Sequence, residues 1–229
     1  MFTRTIELIG VKDFQKLINA KICIVGIGGV GGYVAECLAR CGVGSGENGE
    51  IFLIDDDVVE QSNINRQIMA LNSTINQKKV VAMKNRIKDI SSNCNIKISD
   101  KRLNGDNIDE FNLESYDYIV DAIDSIIPKV ELIEYCHKNN IKIVSATGSG
   151  NRYSIPFYQI KDLFETKYDP LSKKLRQLLR KKNILKHNVA VCLTAPQIKT
   201  NKTTSIVYHP CVCGAVLSAF VVNELFLIK

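Results

Sequence analysis

The run Lys21-Ile-Cys-Ile-Val25, followed at once by Gly26-Ile-Gly-Gly-Val-Gly31-Gly32, restricts this chain more than any other stretch. A short apolar run of this kind reads as a buried parallel strand. Glycines at its end permit a tight turn and let the backbone approach a bound group closely. A helix that opens there, to about Cys41, aims its free N–H groups and its dipole at that group, which favours an anion. The segment therefore predicts the strand–turn–helix of a nucleotide-binding α/β fold, with Gly26, Gly28, Gly29 and Gly31 against the phosphates.

The alternation continues. Ile51-Phe-Leu-Ile54 reads as a second buried strand, and Gln77 to Ile90 places Val80, Met83, Ile87 and Ile90 on one helical face. Strands follow near Ile96, at Tyr118–Val120 and at Ile143-Val144, with a helix between the last two starting near Pro128. The pattern predicts an α/β, Rossmann-like doubly wound sheet. After about Gly148 the rhythm changes to a less regular, mixed or antiparallel half. It holds an amphipathic helix through Leu171, Leu175, Leu178 and Leu179, strands at Val189–Leu193 and Thr204–Tyr208, and a closing hydrophobic helix from Gly214 to Ile228. Residues 1–229 suit a single domain, divided into a nucleotide-binding half (1–148) and a substrate-facing half (149–229). Gly44 to Gly49 reads as a flexible loop.

Eight cysteines are spread from Cys23 to Cys213 without the density of a secreted disulfide scaffold, so they are expected to be reduced and the protein cytoplasmic. The first twenty residues carry Arg4, Glu7, Lys12, Asp13 and Lys16, which does not suit a signal peptide. The apolar run Cys211 to Val222 falls short of a membrane span. Charge is localised: the segment from Lys161 to Lys186 has nine basic against three acidic residues, a surplus equal to the whole chain's net +6. Such a segment is either the footprint of a polyanion or a solvated helix face.

Asp55 closes the second strand 24 residues after Gly31, where a carboxylate can accept hydrogen bonds from ribose hydroxyls. To this point NAD and ATP fit equally. The next segment, Asp55-Asp-Asp57 through Ser62-Asn63-Ile-Asn-Arg66-Gln67, with Lys79 thirteen residues beyond Arg66, separates them. Hydride transfer has no use for a fixed Arg and Lys, whereas loss of pyrophosphate builds charge that preorganised cations stabilise. Asp124, just beyond the strand at Tyr118–Val120, is placed to hold Mg²⁺.

The Gly26 loop, Asp55, Ser62-Asn-Ile-Asn-Arg66-Gln67, Lys79 and Val120-Asp-Ala-Ile-Asp124 together resemble the adenylation signature of the ThiF/MoeB/HesA superfamily and of ubiquitin-activating enzymes. The resemblance implies ATP and Mg²⁺ as cofactors. Asp55 would bind ribose; Asn63, Arg66 and Lys79 the phosphates; Asp124 the metal. Asp57, Ser62 and Ser125 would complete the nucleotide site, and Arg66, Lys79 and Asp124 would be catalytic. Arg4 resembles the family's N-terminal arginine, which reaches into the partner's site and implies a homodimer.

A narrower resemblance runs through Asp162-Leu163, Thr166, Asp169-Pro-Leu-Ser-Lys-Lys-Leu-Arg176 and Val189-Ala-Val-Cys192, to the branch that cyclises threonylcarbamoyladenosine in tRNA. It implies tRNA as partner and net dehydration through an acyl adenylate. The alternatives are activation of the C-terminus of a ubiquitin-like or sulfur-carrier protein, with that carrier or a sulfur-transfer protein as partner, and a non-catalytic nucleotide-binding scaffold. The carrier-activating branch carries two C-x-x-C zinc pairs, and this chain has none. Cys192, His209, Cys211 and Cys213 are read instead as packing residues.

Overall fold

The computed structural model describes residues 1–198 and 203–226. Strand β1 (Lys21–Val25) lies between β2 (Glu50–Ile54) and β4 (Tyr118–Asp121), both parallel to it. β3 (Ile96–Ser99) extends the sheet beyond β2, and β5 (Ile143–Ala146) beyond β4. β7 (Asn188–Cys192) continues in parallel, and β6 (Tyr158–Asp162) pairs antiparallel on its outer edge. The seven strands therefore run β3-β2-β1-β4-β5-β7-β6. The order reverses at β1, and the crevice above its carboxyl end is where such sheets bind ligands.

Period-two alternation distributes β1 between two cores. Ile22 and Ile24 join one buried cluster with Val34, Leu38, Met83 and Leu217, while Cys23 and Val25 join another with Phe52, Leu132, Leu175 and Val191. Helices α2 (Gly31–Cys41), α3 (Lys79–Ile90) and α6 (Tyr208–Phe226) supply the first cluster. Helices α4 (Ile126–Lys138) and α5 (Pro170–Lys181) supply the second.

Several expectations are corrected. Thr204–Tyr208 forms no strand: residues 203–206 are irregular, and Tyr208 already opens α6. The antiparallel partner of β7 is Tyr158–Asp162, whose polar Gln159, Lys161 and Asp162 concealed a strand. α6 begins six residues before Gly214, and the expected end at Ile228 lies outside the described residues. An unexpected helix α1 (Thr3–Asn19) precedes β1, kinked at Gly10, whose φ of 81° interrupts the helical pattern. The Gly44–Gly49 loop, expected to be flexible, is tied down. Gly46 N donates to Ile18 O (2.8 Å) and Asn95 N to Gly44 O (2.7 Å).

By length and composition α6 could cross a membrane. Its Cys213, Gly214, Leu217, Val221 and Leu225 are buried, and a Cβ on Gly214 would stand 2.8 Å from Tyr33 Cβ on α2. Close packing against α2 thus accounts for the apolarity of its buried side.

Candidate functional site

A cleft of about 1230 Å³ opens over the carboxyl ends of the parallel strands. One wall is the turn between β1 and α2. Gly26 has φ 91°, and a Cβ there would come within 2.7 Å of Ala122 O; a Cβ on Gly31 would meet Gly26 O at 1.9 Å. These two glycines are required by packing. Gly28 differs, because nothing lies within 4 Å of its added Cβ, and it lines the cleft with Gly26 and Gly29. Gly31 does not line the cleft; it starts α2 beneath the turn.

Asp55 follows β2 directly. Its Oδ2 accepts from Ile27 N (2.6 Å) and its Oδ1 from Asp57 N (2.9 Å), so the carboxylate braces the glycine turn. Burial raises the Asp55 pKa, and the Lys79 charge with the two backbone donors offsets that only in part. Lys79 is buried at the start of α3 and extends Nζ to Asp57 Oδ2 (2.7 Å). Arg66 is held by Ser62 O and Asn65 Oδ1, both at 2.9 Å. Asp55, Asp57, Arg66, Lys79, Asp124 and Ser125 all line the cleft.

Ser62 and Asn63 do not. They form a single 3-10 turn in which Asn63 Oδ1 accepts from Glu60 N (3.1 Å) and Ser62 Oγ donates to Glu60 Oε2 (3.1 Å). Here they shape the segment that carries Arg66. Arg4 is exposed on α1 and outside the cleft of its own chain.

Asp124 is exposed, and its Oδ1 accepts from Ser125 Oγ (3.2 Å), which leaves Oδ2 for a cation. A single carboxylate beside substrate phosphates suits Mg²⁺. The neighbouring Asp121 is committed elsewhere. Its Oδ2 pairs with Lys129 Nζ at 2.6 Å, both side chains fully buried, and its Oδ1 accepts from Ile123 N (3.0 Å). Among the described residues, the carboxylates that gather within 4.8 Å are Asp55, Asp56 and Asp57, without Asp124. Two of these are already engaged, Asp55 by backbone donors and Asp57 by Lys79. Cys192, His209, Cys211 and Cys213 form no such group among the described residues, and all eight cysteines are free.

Sequence reasoning placed Asp169-Pro-Leu171 in a substrate-facing half but named no site residue in the far wall, built from residues 147–152 and 168–171 together with Arg102 near Ser125. No motif spacing links these residues to the glycine turn. Only the return of the chain through β5, β6 and α5 brings them there. Within the basic segment, Arg176 turns inward to Leu163 O (3.3 Å) and Thr166 O (3.0 Å), and Lys182 pairs with Glu134 (2.9 Å). Lys173, Lys174 and Lys181 remain exposed on α5.

The family described as "ThiF family" matches residues 2–194. The tRNA threonylcarbamoyladenosine dehydratase of Escherichia coli (strain K12) is 41% identical over 179 residues, covering 78% of this chain and 65% of that protein. Its Haemophilus influenzae counterpart is 41% identical over 169 residues, covering 74% and 63%. The chain thus spans less than two thirds of the length of either relative. The crystal structure of the E. coli enzyme, TcdA, in complex with ATP superposes with a TM-score of 0.90 at 34% identity, covering 98% of this chain and 93% of that one.

Proposed function

We propose, because this chain belongs to the ThiF family, that it is an ATP-dependent adenylating enzyme that dehydrates threonylcarbamoyladenosine in tRNA. The observation that carries the reading is one cleft lined by the glycine turn, Asp55, Arg66, Lys79 and Asp124. The similar bacterial dehydratases, and the ATP-bound structure of one of them, support the choice of nucleotide and substrate.

The glycine turn and the start of α2 receive the phosphates, and Asp55 takes the ribose hydroxyls. An oxygen of the threonyl carboxylate attacks the α-phosphorus, and the bond to the bridging oxygen breaks as pyrophosphate leaves. Arg66 and Lys79 stabilise the charge that develops. Mg²⁺, held by Asp124, would neutralise further phosphate charge. The carbamoyl oxygen then attacks the activated carbonyl carbon, AMP departs, and a proton is lost, which closes a five-membered ring with net loss of water. That attack is intramolecular, so proximity supplies what a protein nucleophile otherwise would.

Arg4 acts in trans in a homodimer, in keeping with its exposed position outside its own cleft. Arg4→Ala and Lys79→Ala homodimers are each nearly inactive on this reading. Complete exchange between them should restore about a quarter of wild-type activity, since about half the dimers gain one intact site. No recovery after demonstrated exchange removes Arg4 from the site. The protein is cytoplasmic on this reading, to be checked by cell fractionation; recovery in the membrane fraction would refute it.

The direct test of function is mass spectrometry of nucleosides from tRNA incubated with protein, ATP and Mg²⁺. A cyclic product lighter by one water is expected. Pyrophosphate exchange stimulated by a carrier protein and not by tRNA would transfer the assignment to carrier activation, and no exchange at all would leave a scaffold.

A further inference from the structure

Beyond the end of β5 the cleft has a second half to which the adenylation motifs assign no residue. Two features there are costly to the fold and are explained by nothing within it. The first is Arg152, only 4% exposed. Its Nε donates to Thr194 O (3.1 Å), and its Nη1 donates to Gly148 O (2.8 Å) and Gly150 O (3.0 Å). Its Nη2 is buried with no acceptor among the described residues. Among the described residues the other buried side-chain atom in that state is Gln67 Oε1, and both residues line this cleft. Native structures rarely leave such donors unpaired, and each case calls for an explanation.

The second feature is Tyr168. Its φ is 65°, and Asp169 N donates to Lys167 O (2.9 Å) across it. This is the positive-φ form of the γ-turn, rare and strained for a bulky residue. The side chain is nevertheless 64% exposed and lines the cleft. Strain held in this way concentrates at binding sites.

The two features meet at Gly148. Its carbonyl accepts from Arg152, and its N–H donates to Asp169 Oδ2 (3.4 Å), next to the strained turn. A Cβ on Gly148 would lie 2.4 Å from Asp169 Oδ1, so a larger residue there would displace the Asp169 carboxylate.

We propose that Arg152 and Tyr168 form the acceptor subsite of the cleft, which receives a nucleoside base bearing an acyl carboxylate. The Tyr168 ring stacks on the unstacked base, as aromatic side chains do with single-stranded RNA bases. An outward swing of the guanidinium about its Nη1 contacts brings Nη2 to one carboxylate oxygen while the other attacks the phosphate. The inference rests on the dehydratase reading and adds its substrate contacts. It also separates substrate classes, because a peptide C-terminus has the carboxylate but no base for Tyr168.

The test is steady-state kinetics with tRNA carrying threonylcarbamoyladenosine, alongside equilibrium binding of ATP alone and thermal unfolding. Glycine adopts φ 65° without strain, so Tyr168→Gly should be at least as stable as wild type. Its KM for tRNA should rise about tenfold, the scale of one lost base–aromatic stack, with ATP affinity unchanged and Tyr168→Phe close to wild type. Arg152→Gln should lower kcat/KM for tRNA by more than tenfold at unchanged ATP affinity, with Arg152→Lys intermediate. Wild-type KM in Tyr168→Gly, or an Arg152→Gln defect that weakens ATP and tRNA equally, overturns the subsite. A wild-type protein that leaves the tRNA unchanged overturns the dehydratase reading itself, and the subsite with it.

Discussion

The two halves of the cleft are built differently. In the nucleotide half, functional groups are set by neighbours in the chain or by the next βα repeat. Asp55 accepts from Asp57, two residues on; Arg66 is held by Ser62, four residues back; Lys79 meets Asp57 at a separation of 22. In the acceptor half Arg152 also bonds near neighbours, Gly148 and Gly150, but longer ties join the wall: 42 residues from Arg152 to Thr194, 44 from Tyr153 to Gln197 and 55 from Tyr208 to Tyr153. The first half is built by a local device. The second is assembled by tertiary contacts and carries buried polar groups such as Arg152, Asp169, Ser172 and His187. A phosphate cradle is therefore expected to tolerate loop variation, whereas the acceptor wall is expected to fail by losing position.

The largest expected effect falls at the seam between the halves, where Lys129 on α4 pairs with Asp121 of β4 and donates to Ala146 O of β5 (3.2 Å). Lys129→Met leaves a fully buried carboxylate uncompensated and should cost about 3–5 kcal/mol in denaturant unfolding. Combining it with Asp121→Leu should recover part of that loss. A cost below about 1 kcal/mol for the single change would show that the pair does not hold the halves together.

Within the nucleotide half, Lys79→Ala or Arg66→Ala should slow tRNA-dependent ATP–pyrophosphate exchange by about 10² to 10³, the scale of one preorganised charge-stabilising group. Wild-type rates in both would remove the cations from the chemistry and leave the cleft a binding site only.

The acceptor half should respond to acid. His187 bonds Ser145 Oγ (2.8 Å) and faces the His137 ring (3.3 Å). Burial first, then the charges of His137 and Lys129, push its pKa down to about 3. The unfolded chain takes up this proton near pH 6.5 and the folded protein does not, so the neutral ring stabilises the fold above that pH. The contribution is lost as pH falls from about 6.5 towards 3, by up to about 1.4 kcal/mol per unit. Stability measured against pH should have a shallower acid slope in His187→Gln than in wild type. Parallel curves would show that His187 titrates normally.

The smallest effect is on the outer surface. Reversing Lys173, Lys174 and Lys181 to Glu should weaken tRNA binding and flatten its salt dependence, with ATP binding unchanged. Arg176 belongs outside that set because its guanidinium holds the carbonyls of Leu163 and Thr166. Unaltered tRNA affinity would mean that the face is only solvated.

The sheet of the first half was legible in the sequence, as were several of the residues that line one cleft. β1, the glycine turn, Asp55, Arg66, Lys79 and Asp124 follow from apolar period, glycine spacing and the position of charge at strand ends, all of which act over short stretches of chain. Asn63, expected at the phosphates, lies outside the cleft lining, where its Oδ1 accepts from Glu60 N and closes a turn; a polar residue beside an arginine has the same sequence appearance in either setting. α1 escaped because Gly10 breaks the helical pattern, and β6 because an edge strand needs only one apolar face.

Position across the cleft was decided by tertiary structure alone. Tyr168 and Arg152 are unremarkable letters in the chain. A backbone angle of 65° in one and a donor without an acceptor in the other exist only after β5, β6 and α5 have closed the far wall. The sequence by itself determined which nucleotide-binding device would form, because hydrogen bonds between near neighbours and helix dipoles are local. Which groups face that device depended on the whole sheet, because burial and long-range hydrogen bonding are properties of the packed chain.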